Sequence, residues 1–230
     1  MKALLCGIVA LVVGLPAAAQ VGHAPATSPY SDLEHKQELT LFGGYVKAGH
    51  DAAGVAPQSA PTVGVRYEIT LAGPLALSSE LAATNSKRDV IDPSKPLAQR
   101  IPRSEDATVY SADLALAMNL TGRKSWHHLV PQVRGGVGVL RSAAKDDSSG
   151  FHVGTPFAFI LGGGVKLVPG GSGRIQLRAD LTDRIFKLSY PDTYYRLASD
   201  NTAVLDQSTS KSFYTHHAAF TLGVSYLFGR

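Results

Sequence analysis

The sequence predicts an all-β chain folded as an eight-stranded antiparallel up-and-down transmembrane β-barrel. Three observations carry that prediction. Eight segments alternate with a period of two, with apolar residues on one face and small or polar residues on the other, as side chains do across a pleated sheet. The connections between these segments alternate long and short. Aromatic residues cluster at the two ends of the apolar faces, where amphipathic rings sit in a wall that crosses a membrane.

Residues 214–228 give the pattern at its clearest. Tyr214, His216, Ala218, Phe220, Leu222, Val224, Tyr226 and Phe228 share one face; Thr215, His217, Ala219, Thr221, Gly223, Ser225 and Leu227 share the other. Strands of soluble proteins are usually shorter than this.

Residues 1–19 read as a secretory signal peptide, with Lys2 at a short basic start, an apolar run, and Ala17-Ala18-Ala19 as a small-residue exit. The run is short for a spanning helix, and Pro16 suits cleavage better than anchoring. Cleavage near Ala19 removes Cys6, the one cysteine, so the mature chain forms no disulfide. Residues 20–37 have no period and are expected to be a periplasmic lead-in. Residues 38–230 are expected to form one barrel domain, a size an all-β unit reaches without splitting.

Within that domain, the first strand is residues 38–47, with Leu39, Leu41, Gly43 and Tyr45 on one face. The second, residues 62–71, sets Val63, Val65, Tyr67, Ile69 and Leu71 against Thr62, Gly64, Arg66, Glu68 and Thr70. A turn at Ala72-Gly73-Pro74 leads to the third, which opposes Leu75, Leu77, Leu81 and Ala83 to Ser78, Glu80, Ala82 and Thr84. Residues 85–107 are a long charged loop. The fourth strand, 108–120, and the fifth, 129–140, flank a short connection at 121–128. After the loop at 141–155, the sixth strand runs over 156–168, a Pro-Gly-Gly-Ser-Gly turn follows, and the seventh covers 174–182 with a continuation toward Phe186 and Leu188. The last loop, 184–211, precedes the final strand.

No apolar run after the signal is long enough for a membrane helix, so insertion must be through closed strands, which alone satisfy the backbone in lipid besides helices. Short turns belong in the periplasm and long loops outside. That orientation puts Tyr45, Tyr110, Phe157 and Tyr214 in an outer aromatic belt and Tyr67, Tyr226 and Phe228 in an inner one. A secreted soluble barrel also alternates, but it would turn a face rich in Gly, Ala and Thr to water and would have no reason for two belts. The net charge is +4 with the signs mixed along the chain, and no basic block points to nucleic acid.

The final Gly223-Val224-Ser225-Tyr226-Leu227-Phe228 resembles the C-terminal signal of the small eight-stranded outer-membrane barrels, the OmpA-transmembrane-domain and OmpX-like group. In that group the aromatic usually ends the chain, whereas Gly229 and Arg230 follow here. The resemblance implies a bacterial outer-membrane protein, monomeric, delivered to the barrel-insertion machinery through Tyr226 and Phe228. It implies contact with outer-membrane lipid and lipopolysaccharide.

The inward face carries Arg66, Glu68, Glu80, Asp113, Arg134, Lys166, Arg178 and Asp180. Eight strands leave room for little beyond side chains, so these charges are expected to form an internal network, since confined charges must be paired. Glycines on that face (Gly64, Gly136, Gly138, Gly162, Gly164) admit bulkier neighbours or widen a small lumen. No catalytic residue, cofactor or metal site is expected. In His216-His217 the rings point to opposite faces, and His127-His128 lie in a turn beside Trp126. A lipid-deacylase arrangement would draw on His217, Ser212 or Ser210, and Asp206, but lacks a His-x-Ser motif. The loop at 184–211, with Tyr190, Tyr194, Tyr195 and Arg196, suits recognition of an extracellular ligand or anchoring at the membrane rim. The leading expectation is a structural or surface-interaction protein. The alternatives are a narrow passive pore for small solutes or ions and a lipid-modifying enzyme.

Overall fold

A computed structural model describes residues 28–144, 147–168 and 173–229. The signal peptide and its cleavage point, the start of the lead-in, residues 169–172 of the Pro-Gly turn and Arg230 lie outside the described residues. Among the described residues eight long strands form the wall: β1 (Gln37–Lys47), β2 (Ala60–Ala72), β3 (Leu75–Thr84), β4 (Val109–Asn119), β5 (Leu129–Ser142), β6 (Phe157–Leu167), β7 (Ile175–Ser189) and β8 (Ser212–Phe228). Each pairs antiparallel with the next, and β8 closes on β1 from Ala218 opposite Lys47 to Phe228 opposite Gln37. Closure leaves no sheet edge in the wall, as a barrel in lipid requires.

The alternation sorts the side chains as the period of two dictates. Leu41, Leu114, Phe159, Leu181 and Leu222 are exposed outward, while Thr40, Arg66, Gln132, Arg178 and Ser225 are buried inward. A soluble protein would bury the first set; here it forms a continuous apolar outer band. Tyr45, Tyr110, Phe157 and Tyr214 lie on that band toward the long loops. Toward the short turns, the Tyr226 ring stacks on Phe228, and Phe228 also meets Tyr67, whose hydroxyl donates to Gln37 at 2.9 Å.

Three features depart from the sequence-based expectations. β7 follows the expected continuation through Phe186 and Leu188 to Ser189, so the last loop does not start at 184, and Arg184 shares the inward face with Phe186 and Leu188. The long charged loop contains its own hairpin, Lys87–Val90 paired with Arg103–Asp106. The lead-in is not shapeless: Tyr30–Asp32 pairs with Lys124–Trp126 in the connection between β4 and β5. From there the chain crosses the short-turn mouth to the opposite wall, where the Lys36 amide donates to Gly229 and the Lys36 carbonyl accepts from Thr70. A period of two needs several residues to declare itself, and three-residue strands do not supply them.

Candidate functional site

The inward face is the place where this chain concentrates charge, and the register explains how. Glu38 lies directly opposite Glu68, Glu80 directly opposite Asp113, and Lys166 directly opposite Arg178. Like charges facing each other on neighbouring strands repel, so each pair must find its counter-charge elsewhere. Most of it comes from strands that are not neighbours, although Arg66 also lies directly opposite Glu80 on the other side. The Arg178 guanidinium reaches Glu38 at 2.7 Å, Asp180 at 2.8 Å and also Glu68. Lys166 bonds Glu38 at 2.8 Å and Glu68 at 3.3 Å. Arg184 spans Glu80 at 2.6 Å and Asp113 at 2.7 Å. Arg66 joins Glu80 at 2.6 Å to Asp180 at 3.0 Å, and Arg134 adds a second cation on Glu80 at 2.7 Å.

All eight sequence-predicted lumen charges therefore meet in one cluster. Two members were missed. Glu38 lies at the threshold of its strand, and Arg184 lies past residue 182, where the continuation of the seventh strand overlaps the expected start of the last loop. With them the cluster holds Glu38, Glu68, Glu80, Asp113 and Asp180 against Arg66, Arg134, Lys166, Arg178 and Arg184, five of each sign among the described residues. Gln132 donates to Asp180 at 2.9 Å, and the Thr40 and Ser225 hydroxyls, 2.8 Å apart, both reach Glu38. Two of the inward glycines make room for this. A Cβ on Gly164 would strike the Asp180 carboxylate, and one on Gly138 that of Asp113.

Both mouths are covered. At the short-turn end the crossing lead-in roofs a cavity of about 420 Å³ bounded by Glu38, Glu68, Lys166, Gln176 and His35. At the other end the four long loops pack into a cap. Val55, Phe151, Tyr190, Tyr194, Tyr195 and Leu205 form its core above Leu140, Phe186 and Leu188. Tyr190 stacks on Tyr194 and Phe213, and its hydroxyl donates to Asp51 at 3.0 Å. Arg88 lies buried against Asp147 and over the Phe151 ring. Burial works against the Asp147 carboxylate, but hydrogen bonds from Ser149 and the Arg88 charge outweigh it and hold it below the usual carboxylate range.

The expectation that Tyr190, Tyr194 and Tyr195 present a recognition face or anchor at the rim is overturned: all three are buried, and Arg196 alone of that group is exposed. Composition says that aromatics and Arg favour contact, but a loop that can close on its neighbours buries the rings there first. Burial and the neighbouring Asp51 carboxylate push the Tyr190 phenol above the usual tyrosine range. Burial does the same for Tyr194. An unfolded tyrosine ionises near pH 10, so above that pH the open cap loses protons that the closed cap keeps. Cap stability is then present below about pH 10 and falls as pH rises through the raised values. We expect phenolate absorbance to reveal tyrosines that resist titration until the loops become protease-sensitive; ordinary titration of every tyrosine would contradict this packing.

The histidine pairs resolve differently. His127 and His128, at φ 46° and 66°, are the two central residues between Trp126 and its partner Leu129. A two-residue hairpin with both residues at positive φ is what such a turn requires, and His tolerates that region better than most residues. On β8, His217 is buried inward against Phe186, while His216 is exposed outward with Nδ1 2.7 Å from Asp183. Ser212 pairs with Ser189, and by the same alternation it sits on the face opposite His217. Asp206 is occupied by the Ser208 amide. The residues a deacylase would need are not brought together.

No protein-family model matches the chain, and no curated protein is similar to it in sequence. Among solved structures it is similar to Neisserial surface protein A, with a TM-score of 0.53 at 11% identity over 84% of this chain and 97% of that one. It is equally similar to the outer membrane protein OprG from Pseudomonas aeruginosa, with a TM-score of 0.53 at 12% identity over 87% of this chain and 100% of that one. At such identities the likeness is one of fold. The chain is an eight-stranded antiparallel transmembrane barrel built like these outer-membrane proteins.

Proposed function

We propose that the chain is a monomeric, non-conducting barrel of the bacterial outer membrane, with a structural or surface-interaction role carried by its long loops. The short turns and lead-in then face the periplasm and the cap faces outward. Tyr226 and Phe228 serve recognition by the barrel-insertion machinery.

The observation that carries this reading is the lumen. Ten charges of balanced sign are paired across it, under a packed cap on one side and a crossing segment on the other. An ion would have to part several buried pairs, each costly to break. What remains open to the outside is the cap surface, where Leu97 (64% exposed), Ile101 (80%) and Leu197 (67%) stand out. They are held in place by bonds between loops, from the Leu97 amide to Asp200 and from Arg100 to the Thr202 carbonyl, both 2.6 Å. Apolar side chains fixed on rigid loops are a common basis for contact with an extracellular ligand. Purified protein in planar bilayers should insert without current steps. Reproducible single-channel steps would overturn the closed-lumen reading in favour of a narrow pore.

A further inference from the structure

We propose that Lys47, Lys187 and His216 form a binding site on the outer wall for a phosphate group of a lipid A-type glycolipid. The inference rests on the outer-membrane orientation proposed above, which places the long-loop end in the external leaflet.

The three residues come from adjoining strands, β7, β8 and β1, and all are exposed outward. His216 is opposite Ile185, Lys187 is opposite Tyr214, and Lys47 is opposite Ala218. Each lysine is thus one diagonal step from His216, about 7–8 Å between backbones and within reach of long side chains. The imidazole is held in place: Nδ1 sits 2.7 Å from the Asp183 carboxylate, which leaves the Nε2 edge for a ligand. Asp183 offsets one of the two lysine charges, so the cluster stays cationic.

Depth identifies the ligand. Tyr45 and the opposite Phe220 belong to the apolar band with its aromatic margin. Lys47 lies two residues further toward the loops, about 5 Å higher along a tilted strand. This is the headgroup level, where a cation avoids the cost of hydrocarbon and meets phosphate in a charge-assisted bond. The cluster faces sideways into lipid, with Phe220 and Leu222 continuing the wall below it. A ligand there needs acyl chains as well as a phosphate, which a soluble anion does not provide.

The test uses the full barrel in phosphatidylcholine nanodiscs, with bis-phosphorylated lipid A, dephosphorylated lipid A and phosphatidylglycerol as probes and bound lipid counted by native mass spectrometry. Phosphorylated lipid A should be retained in preference to both others. The K47Q/K187Q/H216Q variant should bind it about ten-fold more weakly, and K187Q alone about three-fold. R141Q, which removes an outward cation from β5 at the same end, should change binding less than two-fold. Equal retention of the three lipids, an unaffected triple variant, or an equal loss with R141Q would each overturn the site. A wild-type chain that never enters nanodiscs would instead sink the outer-membrane reading, so the two failures are distinguishable.

Discussion

Replacing Arg178 with methionine is expected to destabilise the barrel by about 3–5 kcal/mol, read as an earlier guanidinium midpoint for loss of the compact, unheated gel band. Among the described residues Arg178 is the one cation that touches three carboxylates, those of Glu38, Glu68 and Asp180. Its removal leaves Glu38 facing Glu68 with only Lys166 between them. Two buried carboxylates sharing one ammonium must take up a proton or open to water, and either route costs free energy. The pairing is also topological. Arg178 on β7 and Glu38 on β1 are separated by β8, and Arg66 on β2 reaches Asp180 on β7. Breaking these links loosens walls that no backbone ladder joins. The double variant Arg178→Met, Glu68→Leu is expected to be less destabilised than the single one, because it also removes an orphaned charge. A single variant as stable as the parent would mean that water, and not protein, satisfies these carboxylates.

The wall of this barrel was legible because the chemistry of its two faces is opposite, and alternation converts that contrast directly into strands. Which residues face inward follows from parity alone, so the eight predicted lumen charges gather where parity sent them. Partners across the lumen do not follow, because parity carries no information about which strands stand opposite in space. Glu38 and Arg184 were missed for a related reason. Both lie where the apolar half of the pattern weakens, Glu38 at a strand start and Arg184 between the outward residues Asp183 and Ile185, the first of them charged. A search for unpaired charge would have found Arg184, since the eight predicted charges bring Glu80 and Asp113 together without the arginine that bridges them. The cap was hidden more completely. Its apolar side chains are spread over four loops with no shared period, and only their contact in space reveals a core.

That core is open to a direct test. Tyr194→Ala is expected to cost the cap about 3–5 kcal/mol, the usual range for truncating a fully buried aromatic ring, while leaving the barrel inserted. Tyr194 is 0% exposed, stacks on Tyr190 at 6.0 Å, and its backbone carbonyl accepts the amides of Val204 and Leu205. Its carbonyl thus ties down residues 204 and 205, while its ring holds the stack that runs through Tyr190 to Asp51 and Phe151 on two other loops. Local opening is governed by such contacts and not by the global stability. Cleavage by trypsin at the exposed Arg103 and Arg196 should accelerate about a hundred-fold or more, because cleavage follows the population of the open form. Tyr194→Phe, which keeps the ring, should retain most of the protection. The unheated gel band should persist in both variants, since the wall and its charge network lie below the cap. Simultaneous loss of cap and band would show that loops and wall unfold as one unit. Unchanged cleavage in Tyr194→Ala would show that the loops do not hold one another, and the fixed arrangement of Leu97, Ile101 and Leu197 would then lose its physical basis.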